Sequence, residues 1–168
     1  MNQKTKKVVL GGLMTAVVFI ATYIIKVPAP ISGYVNLGDG FIILSGFLLG
    51  PFAGIVAALG SALSDFISGP YAVYAPATFI IKGLMGLLAG LVFYNFKKKL
   101  FVMTIIVAIF CEAIMVFGYF AFDCFWYGVA GASANVIFNF IQAVAAVIVA
   151  LILVPVMKKL SPYIGFGK

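Results

Sequence analysis

Residues 41–67 read FIILSGFLLGPFAGIVAALGSALSDFI, and their division determines how many times this chain crosses a membrane. Two apolar runs, 41–49 and 52–67, meet at the tripeptide LGP of residues 49–51. Glycine permits a tight turn and proline suits the first position of a helix, so the joint predicts two separate helices. The alternative is one long, kinked span, which would leave the two ends of the chain on opposite sides of the membrane.

The composition extends this pattern to the whole chain. Its 168 residues are 65% hydrophobic and only 9% charged, more apolar surface than a water-soluble fold can hide. A spanning helix takes roughly 20 apolar residues, so six spans would use about 120 positions and leave only short connections. The other apolar runs are 8–27, 77–96, 101–122 and 134–157. We therefore predict a single all-α transmembrane domain over residues 1–168.

Lysines cluster at the ends of the apolar runs and predict the orientation of the chain. Short cytoplasmic loops of membrane proteins carry an excess of Lys and Arg. The nine clustered lysines are Lys4, Lys6, Lys7, Lys97, Lys98, Lys99, Lys158, Lys159 and Lys168. With six spans all of them lie on one side, whereas five spans would place the C-terminal cluster opposite the others. The sequence therefore predicts an integral membrane bundle of six transmembrane helices with both termini in the cytoplasm.

Charge and cysteine content exclude other classes of protein. The formal net charge is +7, but a DNA-binding protein spreads Lys and Arg over a wettable face, whereas most lysines here stand at helix ends. Histidine is absent from the sequence, and Cys111 and Cys124 have no CxxC spacing, so neither a metal site nor a disulfide framework is predicted. We predict no cofactor and no nucleic-acid partner.

The acidic residues all lie within or beside apolar runs. They are Asp39, Asp65, Glu112 and Asp123. A charged side chain at the centre of a spanning helix costs about 2.5 to 3.5 kcal/mol on insertion scales, so such residues indicate function and need a partner. Lys82 lies about two turns inside the fourth helix, and Glu112 lies near the middle of the fifth. These two side chains either form an ion pair with each other or contact a ligand.

Two of the remaining acids, Asp39 and Asp65, have simpler interpretations. Asp39 stands between two glycines at the entry to the second helix, where a carboxylate caps open amides and suits the helix dipole. This position predicts an N-cap, with ligand binding as the alternative. Asp65 comes one turn before Gly69 and Pro70, so we expect it either to be hydrated or to pair with Lys82.

Three amide side chains open the sixth run. Asn135, Asn139 and Gln142 have the spacing i, i+4 and i+7, which places them along one face of a helix. Amides both donate and accept hydrogen bonds, so this face suits a polar heterocycle or an alcohol. Hydrogen bonding between helices would use the same pattern. We favour the interpretation that the amides line a pocket.

Aromatic residues concentrate in the predicted outer loops 28–40, 68–76 and 123–133. The residues are Tyr34, Tyr71, Tyr74, Phe125, Trp126 and Tyr127. They form either the aromatic belt of a membrane protein or a cap over a flat ligand.

In the first span, Gly12 and Ala16 form a small-residue step on an otherwise plain apolar helix, and this step is able to face another membrane protein.

Three strings carry a resemblance to a known family. Residues 33–41 read GYVNLGDGF, residues 48–51 read LLGP and residues 74–84 read YAPATFIIKGL. Together they resemble the substrate-binding S components of energy-coupling factor (ECF) vitamin transporters, especially the riboflavin, hydroxymethylpyrimidine and pyridoxine group. The resemblance extends over the whole chain in length and helix layout.

This resemblance implies a substrate-capture subunit of a prokaryotic cell membrane. Such a subunit has no ATPase activity, and it works with a transmembrane coupling (T) subunit and two cytoplasmic ABC-type ATPases. The matching contact toward the T subunit is Gly12 and Ala16, with glycine where the family usually has alanine. The matching substrate-binding residues are Asn36, Asp39, Tyr74, Lys82, Glu112, Asn135 and Asn139.

We therefore expect uptake of a small water-soluble B-type vitamin or precursor, with hydroxymethylpyrimidine or pyridoxine favoured over riboflavin. One alternative is a stand-alone proton-coupled carrier that uses Lys82 and Glu112 as a relay. An intramembrane lipid-modifying enzyme is a second alternative. It fits poorly because such chemistry uses histidine, an activated serine or clustered carboxylates.

Overall fold

The structure, a computed structural model, describes residues 2–29, 31–96 and 100–164. Most of these residues are helical. The helices are α1 (Gln3–Ile24), α2 (Gly38–Leu49), α3 (Ala53–Ile67), α4 (Ala75–Asn95) and α5 (Leu100–Ile164), and the 3-10 turns are Gly50–Phe52 and Gly69–Tyr74.

Within the described residues, four helical stretches are long and apolar enough to cross a membrane. They are Gln3–Ile24, Gly38–Ile67, Gly69–Asn95 and Leu100–Lys159. The protein is therefore a multi-pass membrane protein, as the composition predicts. Of the lysine clusters that predict its orientation, Lys97, Lys98, Lys99 and Lys168 lie outside the described residues.

The predicted joint between the second and third helices is confirmed. α2 ends at Leu49, and α3 begins at Ala53 after a 3-10 turn with Pro51 in its first positions. Gly50 has φ 62°, a left-handed conformation that favours glycine. The two helices are therefore separate elements joined by one tight turn.

α5 reverses direction at Gly128, where φ is 68° and ψ is 174°. The Nδ2 of Asn135 donates to Oδ2 of Asp123 over 3.0 Å. On a straight helix these residues would stand about 18 Å apart, so the two arms of α5, 100–127 and 129–164, fold back on each other. The predicted loop over 123–133 is wrong, because a single left-handed glycine makes the reversal and its neighbours remain helical.

Close helix contacts occur where the sequence places small residues. A methyl group on Gly86 would overlap the backbone carbonyl of Ala53, and one on Gly90 would overlap that of Gly50. α4 therefore packs directly against the backbone of α3 and the preceding turn. α2 is buried along most of its length, and its Ile42 and Ile43 are completely buried. This burial is consistent with an apolar run too short to span a membrane alone.

A short antiparallel ribbon connects α1 to α2. Its strands are β1 (Val27–Pro28) and β2 (Tyr34–Val35), with Val27 opposite Val35. The all-α prediction did not include this ribbon, because two-residue strands are too short to show an alternating pattern. The ribbon matters for function because it brings Tyr34 and Asn36 to the ends of the helices.

Candidate functional site

A polar cavity lies between the ribbon and the ends of α1, α3, α4 and both arms of α5. It is lined by Thr22, Ala29, Ser32, Gly33, Tyr34, Asn36, Asp65, Tyr74, Thr78, Lys82, Tyr119, Asp123, Asn135, Asn139 and Gln142. The cavity is partly open to the surface, and the space inside it that water molecules can occupy measures about 40 Å³, enough for a few of them.

The base of the cavity is an ion pair between α2 and α4. Nζ of Lys82 lies 2.6 Å from Oδ1 of Asp39, and Nε2 of Gln142 donates to Oδ2 of the same carboxylate over 2.7 Å. Lys82 is 1% exposed and Asp39 is 0% exposed, so each buried charge has its compensation inside the protein. Of the two alternatives for Lys82 and Glu112, an ion pair with each other is wrong, because the lysine pairs with Asp39.

Asn36 performs the capping role that the sequence predicts for Asp39. Its Oδ1 accepts a hydrogen bond from the backbone N of Gly38 over 2.8 Å, which satisfies an open amide at the start of α2. Its backbone N donates to Oε1 of Gln142 over 2.8 Å. The N-cap prediction for Asp39 is therefore wrong: its carboxylate is used by Lys82 and Gln142, and Asn36 has the short side chain suited to an Asx turn.

Asp65 forms a second polar cluster at the ribbon side of the cavity. It accepts hydrogen bonds from the hydroxyl of Tyr34 and, over 2.5 Å, from Oγ1 of Thr78. The expected alternative of a pair with Lys82 is wrong, because Asp65 accepts from these two hydroxyls and Lys82 pairs with Asp39. Burial and the neighbouring carboxylate raise the pKa of Tyr34, which keeps that hydroxyl a neutral donor.

Asp123 forms a third cluster at the turn of α5. It accepts from the hydroxyl of Tyr74 over 2.7 Å and from Nδ2 of Asn135 over 3.0 Å. The ring of Tyr74 lies 5.0 Å from that of Phe122 and 6.2 Å from that of Tyr119, measured between centroids. This corner of the cavity therefore combines a carboxylate with flat apolar surface.

The structure brings most of the predicted site residues together. Asn36, Tyr74, Lys82, Asn135 and Asn139 line the cavity, and Asp39 lies beneath it as the partner of Lys82. The predicted amide face of the last helix also lies on the cavity wall, since Gln142 joins Asn135 and Asn139 there.

Glu112 lies elsewhere. It contributes to a separate, largely apolar groove between the two arms of α5, beside Val116, Phe140 and Ala143. It is 4% exposed, and neither of its carboxyl oxygens has a hydrogen-bond partner among the described residues.

Several cavity residues were not predicted as site residues. They include Thr22, Asp65, Thr78, Tyr119 and Asp123. The two aspartates carried a signal, because each is an acid beside an apolar run. Thr22, Thr78 and Tyr119 carried none, because threonine and tyrosine are ordinary at helix ends.

The predicted aromatic residues divide into two groups. Tyr34 and Tyr74 line the cavity, and the ring of Tyr71 lies 4.6 Å from that of Tyr34. Phe125, Trp126 and Tyr127 are exposed on the outside of α5, as expected of a membrane belt. The aromatic residues therefore occupy two different environments, the cavity wall and the outer surface.

At the ribbon side of the cavity, the ammonium group of Lys26 lies close to three tyrosine rings. Nζ of Lys26 lies 4.8 Å from the ring centroid of Tyr23, 4.5 Å from that of Tyr34 and 5.6 Å from that of Tyr71. It also donates to the hydroxyl of Ser68, which links the end of α1 to the end of α3. Partial burial lowers the pKa of Lys26, while nearby Asp65 opposes that effect.

Comparison with known proteins gives consistent matches. Residues 2–159 match the family model of the ECF-type riboflavin transporter, S component. An uncharacterised protein of Pyrococcus woesei is 32% identical over 144 residues, which cover 84% of this chain and 95% of that protein. The thiamine precursor transporter HmpT of Lactococcus lactis subsp. cremoris (strain MG1363) is 29% identical over 170 residues, covering 99% of this chain and 96% of HmpT.

Two solved structures share the fold. The S component for biotin from an ECF-type ABC transporter has a TM-score of 0.70 at 21% sequence identity, with 94% of this chain and 93% of that chain covered. The S component of a bacterial ECF transporter has a TM-score of 0.66 at 24% identity, with 96% and 98% covered.

Proposed function

Because the chain belongs to the family of ECF-type riboflavin transporter S components, we propose that it captures a small water-soluble B-type vitamin or vitamin precursor at the outer face of a prokaryotic cell membrane. The observation that carries this proposal is the polar cavity above the buried pair of Lys82 and Asp39. Polar groups inside an apolar body are costly, and their convergence on one cavity fits a solute site.

In this proposal the chain has six transmembrane helices and both termini in the cytoplasm. The break at Gly50 and the reversal at Gly128 support the helix count. Lys4, Lys6 and Lys7 lie in the first two turns of α1, and the lysines near the end of α5 lie on the same side when the count is six. The cavity then opens on the opposite, outer side, where a solute arrives.

The proposed site residues are Asn36, Tyr74, Lys82, Asn135 and Asn139, with Asp39 as the group that holds Lys82. The cavity offers amides, hydroxyls and aromatic faces, which suit a polar heterocycle. We favour hydroxymethylpyrimidine or pyridoxine over riboflavin, as expected from the sequence, and the similarity to a thiamine precursor transporter supports hydroxymethylpyrimidine.

The proposed partners are a transmembrane coupling (T) subunit and two cytoplasmic ABC-type ATPases, which supply the energy. Gly12 and Ala16 are both exposed on α1, and a Cβ built on Gly12 meets no atom within 4 Å among the described residues. Such a surface allows the close approach of another helix. We propose this step as the contact with the T subunit, and the chain itself as non-catalytic.

Mass spectrometry of small molecules carried through purification identifies the bound ligand. Calorimetric titration of the emptied protein with hydroxymethylpyrimidine, pyridoxine and riboflavin then measures the affinity for each. We expect saturable binding of one of the first two. Uptake into vesicles tests the partners: transport should require ATP and the added subunits. Uptake by vesicles that contain this chain alone would instead support a proton-coupled carrier.

A further inference from the structure

Among the described residues, buried acidic side chains outnumber buried basic ones. Asp39, Asp65, Glu112 and Asp123 are at most 4% exposed, whereas Lys82 is the buried lysine of the described residues. Its ammonium group is already paired with Asp39. The ion pair at the base of the cavity therefore leaves the carboxyl groups on its walls without a matching internal cation.

The two wall carboxyls differ in their electrostatic surroundings. Asp65 has a cation nearby, since Lys26 lies over the ring of the tyrosine that donates to it. Asp123 accepts from Tyr74 and Asn135, which are both neutral, and it forms no ion pair within the described parts of the chain. It is 2% exposed, so water compensates little of its charge.

Asn135 independently indicates that a hydrogen-bond donor is missing at this corner of the cavity. A carboxylate only accepts, so the bond to Asp123 fixes which end of the Asn135 amide is its NH₂ group. The other end, Oδ1, is buried and has no hydrogen-bond partner among the described residues. A buried acceptor without a donor is costly, and Asn135 lines the cavity beside Asp123.

We propose that this corner of the cavity, formed by Asp123, Asn135 and Tyr74, selects a ligand that carries an amino or ammonium nitrogen. The nitrogen donates to Asp123 and to Oδ1 of Asn135, while the ring of the ligand packs against Tyr74. This inference rests on the proposed function and narrows its substrate class to amine-bearing heterocycles. A hydrogen bond to a charged acceptor is worth more than a neutral one, so the amine decides selectivity.

Matched pairs of ligands test the inference on the unaltered protein. Pyridoxamine and pyridoxine differ by an amine in place of an alcohol, and hydroxymethylpyrimidine and its 4-hydroxy analogue differ by the ring amino group. In calorimetric titrations at pH 7 we expect the amine-bearing member of each pair to bind at least about tenfold more tightly. Equal affinities, or tighter binding of the alcohol or 4-hydroxy member, would overturn the inference while leaving vitamin capture intact.

Asp123→Asn tests the assigned residue. It should reduce the preference within each pair to about threefold or less, mainly by weakening the amine-bearing member. Glu112→Gln is the matched control, because it makes the same change in the same helix outside the cavity, and it should keep the preference of the unaltered protein. A preference that survives in Asp123→Asn would overturn the role of Asp123.

Two further outcomes are informative. If sodium or potassium ions compete with the amine-bearing ligands at millimolar concentrations, the corner is an inorganic cation site and the inference fails. If none of the four compounds binds, this inference fails together with the preference for hydroxymethylpyrimidine or pyridoxine, whereas vitamin capture itself fails only if riboflavin does not bind either. If Asp123→Asn does not fold, the ligand pairs on the unaltered protein still decide the question.

Discussion

Asp39 and Glu112 are both carboxyl groups buried within apolar helices, but their surroundings are opposite. Asp39 has an ammonium group at 2.6 Å and an amide donor at 2.7 Å. Glu112 faces an apolar groove, and its two oxygens have no partner in the described part of the chain. Depth in a span therefore does not predict how a buried carboxyl group is compensated, because that depends on the side chains packed around it.

The largest expected effect comes from removing Lys82, the cation that pairs with Asp39. Lys82→Ala leaves Asp39 buried without its cation, which should lower the free energy of unfolding by about 3–5 kcal/mol. Thermal unfolding in detergent measures this effect. The double variant Lys82→Met with Asp39→Leu is the control, because it removes both charges and should recover at least half of the loss. An unchanged unfolding temperature in Lys82→Ala would show that the pair contributes little.

The second prediction concerns binding rather than folding. Asn139 lines the cavity and is only half-buried. Asn139→Ala should weaken ligand affinity about tenfold by removing one hydrogen-bonding group, without changing the unfolding temperature. Ser133→Ala serves as the control, because Ser133 lies on the same arm but is exposed and bonds its own helix. Unchanged titration curves would remove Asn139 from the site.

The third prediction concerns the stability of the protein without Glu112, the buried carboxyl group that has no partner among the described residues. Glu112→Leu replaces a partnerless carboxyl by an apolar side chain in an apolar groove, which should raise the free energy of unfolding by about 1–3 kcal/mol. Asp39→Leu should lower it, because that change leaves Lys82 unpaired. Thermal unfolding of the two variants in parallel gives the sign. A loss of stability in Glu112→Leu would indicate that the carboxyl has a partner in the membrane.

The smallest expected effect on stability is at Gly12. Gly12→Leu should change the free energy of unfolding by less than about 0.5 kcal/mol and leave ligand titrations unchanged, because the position is exposed. It should nevertheless prevent co-purification with the T subunit. Leu13→Ala, at an exposed neighbouring position, is the control and should keep assembly. Normal co-purification of Gly12→Leu would exclude this step as the partner contact.

The sequence predicted the general location of the site better than its internal contacts. The amides Asn135, Asn139 and Gln142 share the cavity wall, because helical periodicity places such residues on one side of a helix. The alternative of hydrogen bonds between helices also holds for Asn135 and Gln142, which donate to Asp123 and Asp39. The sequence did not identify the ion-pair partner of Lys82. It suggested Glu112 or Asp65, whereas the structure shows Asp39, because spacing along the chain does not rank residues on different helices.

Glycine and proline predicted one of the two sharp turns in the helical part of the chain but not the other. Gly50 and Pro51 predicted the break between α2 and α3, because both residues favour a turn. Gly128 carried a weaker signal, since the residues around it are apolar or aromatic and continue the helix on both sides. The loop over 123–133 was therefore predicted too long, and Asp123 was not recognised as a cavity residue.

The sequence by itself determined the membrane location, most helix boundaries and the face that the amides share, because these depend on composition and on periodicity within single helices. Only the tertiary structure decided which buried charges are compensated, since Asp39 meets Lys82 and Gln142 from 43 and 103 residues away along the chain. In an apolar interior the free energy of a charge depends on the atoms within hydrogen-bonding distance, and packing brings those atoms together.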